Sequence, residues 1–209
     1  MFTIGIVAHT SRAEQAHILM ETVGAAYMSV DSGKLGCDRN HKKVQTYLAG
    51  IPSTWSVILE DDAHPVQDFR EQLHQALVMA PTPIVSLYAG RKKPSHWQGR
   101  YKKALANAKT VDASWLISTH LLHAVGYAIR TEHLPSLLAH TSPHPSDQHI
   151  TSWAQRYGYT VGYTIPSLID HLDGPTIVDH ADGAVRHPGR KAWTVGRRDR
   201  WTTEAVTMP

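Results

Sequence analysis

Three consecutive acidic residues, Glu60, Asp61 and Asp62, directly follow an apolar run and are the side chains best placed to do chemistry. Adjacent like charges repel each other, so such a cluster usually requires a compensating partner. Carboxylate oxygens suit Mg²⁺ or Mn²⁺, which also accept phosphate oxygens and water as ligands. The structural alternative is that Asp62 caps a helix that begins at Pro65. The segment therefore indicates either a divalent-cation site or an acidic helix N-terminus.

Short apolar segments alternate with amphipathic ones through the first 88 residues. Strands are predicted at 3–8, 26–30, 55–59 and 83–88, and helices at 11–24, 40–48 and 65–78. Ser11 and Glu14 have the spacing of a capping box for the first helix. The alternation predicts an α/β fold, a mainly parallel central sheet with helices on both faces. Because ligands bind at the carboxyl ends of such strands, the polar segments 9–12, 31–40 and 60–64 are expected to converge.

The second half of the chain is less regular. Strands are predicted at 115–118, 124–129 and 159–163, and helices at 132–140 and 147–157. Ser146 is the predicted N-cap of the last helix. After Pro166 the sequence becomes rich in Gly, Pro, His and Arg, which is typical of an extended tail laid across a domain.

Positive charge is concentrated in two segments of a chain whose formal net charge is +3. Residues 91–103 hold six basic residues and no acid, and residues 186–200 hold six basic residues and one acid. Such segments attract the phosphates of a small ligand, nucleic acid or acidic glycans, unless they are simply solvated surface loops. Four interleaved aromatic residues suit stacked bases or the face of a sugar ring: Trp97, Tyr101, Trp193 and Trp201. Alternatively, cations such as Arg190 and Lys191 clamp a diphosphate.

Several other classes of protein are excluded by the motifs that the sequence lacks. The one cysteine, Cys37, rules out an intrachain disulfide and a multi-cysteine zinc site. The sequence has no His-Glu-x-x-His motif, phosphate-binding loop or Gly-x-Gly-x-x-Gly fingerprint. No apolar run approaches the roughly 18 residues of a membrane span, and the N-terminus lacks the features of a signal peptide. A cytoplasmic location is expected. If the chain is encoded by a phage, this is the cytoplasm of the host.

The stretch WSVILEDDAHPVQDF (55–69) resembles the nucleotide-sugar-binding segment of glycosyltransferases with the A-type fold, particularly family 25 and related small phage and bacterial transferases. Further segments resemble other parts of these enzymes in order and spacing: SVDSGKLGCDRNH (29–41), HAVGYAIRTEHLPSLL (123–138), PHPSDQHI (143–150) and YTIPSLIDHLDGPTIV (163–178). The resemblance implies a catalytic domain over 1–178 and a basic tail over 179–209.

The resemblance also implies roles for matching positions. Asp62 would bind Mn²⁺ or Mg²⁺ directly, together with His171. Asp61 or Glu60 would act through water or orient the donor sugar. The metal would bridge the diphosphate of a sugar nucleotide, a UDP-sugar above all, and offset charge on the leaving group.

Further positions would surround the donor nucleotide. Ala8, His9 and Arg12 would border the base and ribose, and Asn40 would reach the ribose or a phosphate. Asp31 would hydrogen-bond the base or ribose, its structural alternative being an Asx-turn before Gly33.

Asp147, in the Pro-Ser-Asp stretch, is the candidate general base of an inverting transfer. At a helix start the dipole is expected to lower its pKa, and its alternative role is helix capping. In a retaining mechanism, Asp147 would have a different role.

The sequence thus predicts a metal-dependent glycosyltransferase with a nucleotide-sugar donor. One acceptor is a hydroxymethylated base of phage-type DNA, bound by 91–103 and 186–200 and turned out of the stack. The alternatives are a protein or cell-surface glycan acceptor, or a non-catalytic nucleic-acid-binding module.

Overall fold

The computed structural model of the chain describes residues 1–172 and 190–208. Its strands are β1 Phe2–His9, β2 Tyr27–Asp31, β3 Trp55–Glu60, β4 Ala63–Pro65, β5 Ile84–Ser86, β6 Trp115–Ser118, β7 Gly126–Arg130, β8 Val161–Thr164, β9 Ile169–His171 and β10 Ala205–Thr207. Its α-helices are α1 Ala13–Val23, α2 Cys37–Ala49, α3 Phe69–Val78, α4 Gln98–Thr110, α5 Leu134–Ala139 and α6 Ser146–Arg156.

Eight of the strands form one sheet in the order β10-β6-β8-β5-β7-β3-β1-β2. β1 pairs in parallel with β2 and β3, and β5 pairs in parallel with β8. β7 lies between β3 and β5 and is antiparallel to both, while β6 is antiparallel to β8. The predicted α/β class with a mainly parallel central sheet is confirmed, with β6, β7 and β10 as the reversed strands.

Helices cover both faces of this sheet because its strands carry apolar residues on both sides. In β1, Ile4, Ile6 and Ala8 pack into the core layer that contains α1 and α3. Val7, between them, packs into the opposite layer with α2, α4, α5 and α6. Because β1, β2 and β3 run parallel to one another, their carboxyl ends meet at one edge of the sheet, between the two helical layers.

The first helix begins differently from the sequence prediction. The His9 side chain accepts the Ser11 backbone N–H at 3.2 Å and caps a 3₁₀ turn, Thr10–Arg12. α1 follows from Ala13, so the predicted Ser11 capping box does not form. The turn places Arg12 beside the end of β3 instead of on the helix surface.

The helix predicted to start at Pro65 was also misplaced. Residues 63–65 form β4, which pairs with β9, and α3 begins only at Phe69. Asp62 therefore precedes a strand and caps no helix, so the structural alternative for this residue is wrong.

The sequence of 91–103 predicts either a long loop or a short helix, and much of it belongs to α4, which follows a 3₁₀ turn at Ser95–Trp97. α2 begins at Cys37, three residues earlier than predicted. In the tail, β10 adds an edge strand to the sheet beside β6. The predicted boundary at 178 lies outside the described residues.

Candidate functional site

The acidic segment lies in a tight turn that a small two-stranded ribbon holds against His171. β3 ends at Glu60, and β4 then pairs with β9 so that Ala63 lies opposite His171. The Leu172 backbone N–H donates to the Asp62 carbonyl oxygen at 2.8 Å. As a result, His171 Nε2 lies 3.4 Å from Asp62 Oδ2. The structure thus brings together the two residues predicted to bind a metal.

Arg12 is the compensating partner of the acidic turn. Its Nη1 lies 2.9 Å from Asp61 Oδ1 and 2.6 Å from Asp62 Oδ2. Burial disfavours the guanidinium charge, but the charges and hydrogen bonds of the two carboxylates outweigh it and raise the pKa of Arg12. In this structure Arg12 pairs with the acids, where the sequence prediction had placed it at the base and ribose.

Asp61 anchors the end of β1. Its Oδ2 accepts the His9 backbone N–H at 2.8 Å, while its carbonyl oxygen accepts the Gln15 side chain at 2.7 Å. With Arg12 on Oδ1, both carboxylate oxygens of Asp61 have partners inside the protein. The geometry gives Asp61 a positioning task in addition to the catalytic one predicted for it.

Asp62 and His171 form a donor set that fits a divalent cation. Asp62 Oδ1 is buried without a hydrogen-bond partner. His171 Nδ1 lies 2.7 Å from the Leu172 carbonyl, which only accepts, so Nδ1 carries the hydrogen. Nε2 is then the nitrogen that faces the Asp62 carboxylate. Burial and the neighbouring Glu60 charge raise the pKa of Asp62 despite the opposing charges of His171 and Arg12. A cation bound there would satisfy Asp62 Oδ1 and would have His171 Nε2 within reach as a second ligand.

Glu60 points the other way and ends a buried polar chain. Its Oε1 lies 3.0 Å from His41 Nε2, and His41 Nδ1 lies 3.1 Å from the Tyr127 hydroxyl. Gln45 donates to the same hydroxyl at 2.9 Å. Burial opposes ionisation of Glu60, but the hydrogen bond and charge of His41 outweigh it and lower its pKa. Glu60 is therefore ionised and fixed in orientation.

Cys37 completes a second group of possible ligands. Among the described residues, donor atoms of Cys37, His41 and Glu60 all lie within 4.8 Å of one another. Burial and the nearby acids raise the pKa of the Cys37 thiol. The thiol therefore stays protonated at neutral pH, which makes it a poor nucleophile.

The residues predicted around the donor nucleotide do meet at one sheet edge, but the side chains of Asp31 and Asn40 already make hydrogen bonds within the protein. Asp31 accepts the backbone N–H groups of Leu35 at 2.9 Å and Gly36 at 2.8 Å, which lower its pKa despite burial. Asn40 is buried and donates to the carbonyls of Ala8 at 3.0 Å and Ser29 at 3.1 Å. Asp31 thus orders its own loop, and Asn40 ties the ends of β1 and β2 together.

Asp147 lies in the first turn of α6, half-buried. Burial raises its pKa to about 6, with the Glu60 charge adding to the effect and the Gln148 N–H bond at 2.8 Å opposing it. The expectation that the helix dipole would lower this pKa is wrong, because desolvation dominates. Asp38 supplies the cap instead: its Oδ1 accepts both the N–H and the hydroxyl of Ser146 at 2.8 Å.

The aromatic residues of the basic segments are largely core residues. Trp97 is 6% exposed, Tyr101 is fully buried and Trp201 is 4% exposed. These three rings are not available to stack on bases or on a sugar ring.

Three of the described tail cations, Lys191, Arg197 and Arg198, have structural partners too. Arg197 pairs with Asp68 at 2.6 Å, and Arg198 pairs with Asp112 at 2.6 Å. Lys191 Nζ donates to the His171 carbonyl at 2.8 Å, which places this predicted diphosphate ligand beside the acidic turn. Arg190 directly precedes Lys191 and is partly buried. Residues 186–189 lie outside the described part of the chain.

Sequence reasoning missed the polar face of α2. Asp38, His41 and Gln45 recur at i, i+3 and i+7, so they share one side of the helix. His41 and Gln45 are almost fully buried there. The signal was available in this spacing, since polar residues at helical period on an otherwise core-facing helix need partners inside the protein.

No family model and no curated protein matches this sequence. The protein A197 from STIV matches in structure with a TM-score of 0.49 and 10% identity, over 96% of this chain and 99% of that chain. A Drosophila β-1,4-galactosyltransferase 7 mutant in complex with manganese, UDP-Gal and xylobiose matches with a TM-score of 0.47 and 8% identity, over 83% of this chain and 72% of that chain. At such identities the activity has to be inferred from the site itself. Among the described helices, none has both the length and the apolar character that a membrane crossing requires.

Proposed function

We propose that the protein is a metal-dependent glycosyltransferase that uses a nucleotide-sugar donor, preferentially a UDP-sugar. The observation that carries this proposal is the unpaired carboxylate oxygen of Asp62 at the acidic turn, with the His171 ring beside the same carboxylate. Asp62 Oδ1 has no partner, and His171 Nε2 faces Asp62 Oδ2 at 3.4 Å. The resemblance of the segment around Glu60 to A-type glycosyltransferases supports the same assignment.

Asp62 and His171 would hold Mn²⁺ or Mg²⁺, with Asp61 and the ionised Glu60 beside them. When bound, such a cation neutralises the diphosphate and charge developing on the leaving group. Arg12 and Lys191 contribute positive charge at the same turn, since Lys191 lies 3.2 Å from Asp170 and 2.8 Å from the His171 carbonyl. The cations of the chain therefore assist in binding the donor phosphates.

Asp147 would take the proton from the acceptor hydroxyl. A carboxylate with a pKa of about 6 is ionised at neutral pH and is a stronger base than an ordinary aspartate. This favours an inverting transfer, in which a protein carboxylate activates the acceptor.

A glycan acceptor, free or on protein, accounts for the structure better than DNA does. The DNA alternative depended on exposed aromatic rings among the basic residues, and Trp97, Tyr101 and Trp201 are buried. Arg91, Lys92 and Lys93 remain on the surface, but exposed cations alone do not select nucleic acid.

The test is hydrolysis of a panel of UDP-sugars with Mn²⁺ in the absence of acceptor. We expect turnover that chelator abolishes and that Asp62→Asn reduces by at least about 10²-fold. Asp68→Asn is the control, because it makes the same chemical change at an exposed Asp that pairs only with Arg197 among the contacts described. Turnover that persists in excess chelator, or an Asp62→Asn variant as active as Asp68→Asn, would remove the metal site from the proposal.

A further inference from the structure

A cavity of about 480 Å³ opens between α2 and the segment that leads into α6. Its walls include Arg39, His41 and Lys42 from α2, and Ser146 and His149 from α6. His41 also bonds Glu60 at 3.0 Å, so the cavity adjoins the acidic turn. Ser146 directly precedes Asp147, the proposed base. The cavity therefore lies on the side of the site where an acceptor would enter.

The charge of the cavity wall is positive. Arg39 and Lys42 are one helical turn apart on the same face of α2. Asp38 is the one acid among the lining residues, and its Oδ1 is already occupied by the N–H and the hydroxyl of Ser146. An anion that enters the cavity thus meets two cations against one carboxylate, so the formal charge of the wall remains positive.

His149 adds a hydrogen-bond acceptor to these cations. The residue is 5% exposed, and its Nε2 has no hydrogen-bond partner. Its ring bonds the Leu137 backbone, while burial and the Lys42 charge lower its pKa. The ring is therefore neutral at neutral pH, with the hydrogen on the nitrogen that faces Leu137 and a lone pair on Nε2. That lone pair suits a ligand hydroxyl, and leaving it unpaired is costly.

We propose that this cavity binds the acceptor, and that the acceptor is a carbohydrate bearing a carboxylate or a phosphate. Its anionic group lies against Arg39 and Lys42, and one of its hydroxyls donates to His149 Nε2. The role as acceptor site rests on the proposed transferase function, whereas the binding of an acidic carbohydrate is measurable without it. The cavity wall complements two features of this class of ligand, its negative charge and its hydroxyl groups.

Binding to the full chain is tested by saturation-transfer NMR with three probes: glucuronic acid, glucose 6-phosphate and neutral glucose. We expect both acidic sugars to bind and glucose to bind at least about 10-fold more weakly, since a charged hydrogen bond contributes roughly that factor. Lys42→Met should weaken the acidic sugars about 10-fold. Lys43→Met is the matched control, because it removes the same charge from the same helix at an exposed position that does not line the cavity.

His149→Phe separates the hydroxyl contact from the anion contact. It should weaken glucose 6-phosphate about fivefold or more and leave inorganic phosphate unchanged. Equal binding of glucose and the acidic sugars, or equal losses in Lys42→Met and Lys43→Met, would overturn the proposal. Donor hydrolysis on the same preparation distinguishes the two hypotheses. Hydrolysis without acidic-sugar binding refutes the cavity assignment alone, and binding without hydrolysis refutes the transferase alone.

Discussion

Replacing Arg12 with glutamine tests whether this side chain holds the acidic turn together in the absence of a metal. Arg12 Nη1 contacts Asp61 and Asp62 at 2.9 and 2.6 Å, and the Arg12 side chain is 16% exposed. Breaking a buried ion pair by removing one partner costs about 3–5 kcal/mol, because the remaining charge stays buried without compensation. For a chain of this size, a loss of about 3 kcal/mol lowers Tm by about 6–12 °C.

Arg197→Gln is the control for this experiment. Arg197 Nη1 lies at the same distance, 2.6 Å, from Asp68 Oδ2, but the two side chains are 50% and 55% exposed. Exposed pairs contribute about 0–1 kcal/mol, so Tm should fall by at most about 4 °C. The comparison sets a buried Arg with two Asp partners against an exposed Arg with one, at the same shortest distance.

Mn²⁺ provides the second arm. The cation and Arg12 compete for Asp62 Oδ2, so the wild-type protein should gain less stability from Mn²⁺ than Arg12→Gln does. In the variant, Mn²⁺ at about 100 times its Kd should restore about 2.7 kcal/mol. Differential scanning calorimetry with and without Mn²⁺ measures both effects. Equal losses of Tm in Arg12→Gln and Arg197→Gln, or equal gains from Mn²⁺ in wild type and variant, would refute this account of Arg12.

Two further predictions concern the base and the aromatic residues. If Asp147 is the base, kcat/KM for transfer should rise with pH through about 6 and then level off, because only the ionised carboxylate accepts a proton. Asp147→Asn should lower the transfer rate about 10²-fold and remove the rise from the pH profile. Trp97→Ala should lower the free energy of unfolding by about 3–5 kcal/mol in denaturant titrations, because the ring lies in the core. A variant as stable as the wild type would contradict the burial of Trp97.

The convergence of polar segments was predictable from sequence because it depends on sheet topology alone. Carboxyl ends of parallel strands share an edge, so His9 and Glu60, which end β1 and β3, had to lie near each other. The ribbon of β4 and β9 was not predictable in this way. It joins three-residue strands more than 100 positions apart, and Pro65 fits the end of an edge strand as well as the first turn of a helix.

The aromatic residues of 91–103 show how charge conceals a helical pattern. Trp97, Tyr101, Ala104 and Ala108 are spaced by four, three and four residues, which is one face of a helix, and all four are buried. The six cations between and before them drew the interpretation towards a binding loop. A periodicity count across 95–110 would have separated the buried face from the charged one.

α2 links the two halves of the proposed site. His41 lines the proposed acceptor cavity and bonds Glu60, while Asp38, one turn earlier, caps the helix that carries Asp147. The packing of β1 against α2 allows little adjustment, because a Cβ at Gly5 would overlap Val44 and approach Leu48 Cδ1 to 3.2 Å. One helix packed directly onto the sheet therefore contacts both the acidic turn and the helix that carries the proposed base. That arrangement suits a reaction in which a donor and an acceptor must be held in a fixed relative geometry.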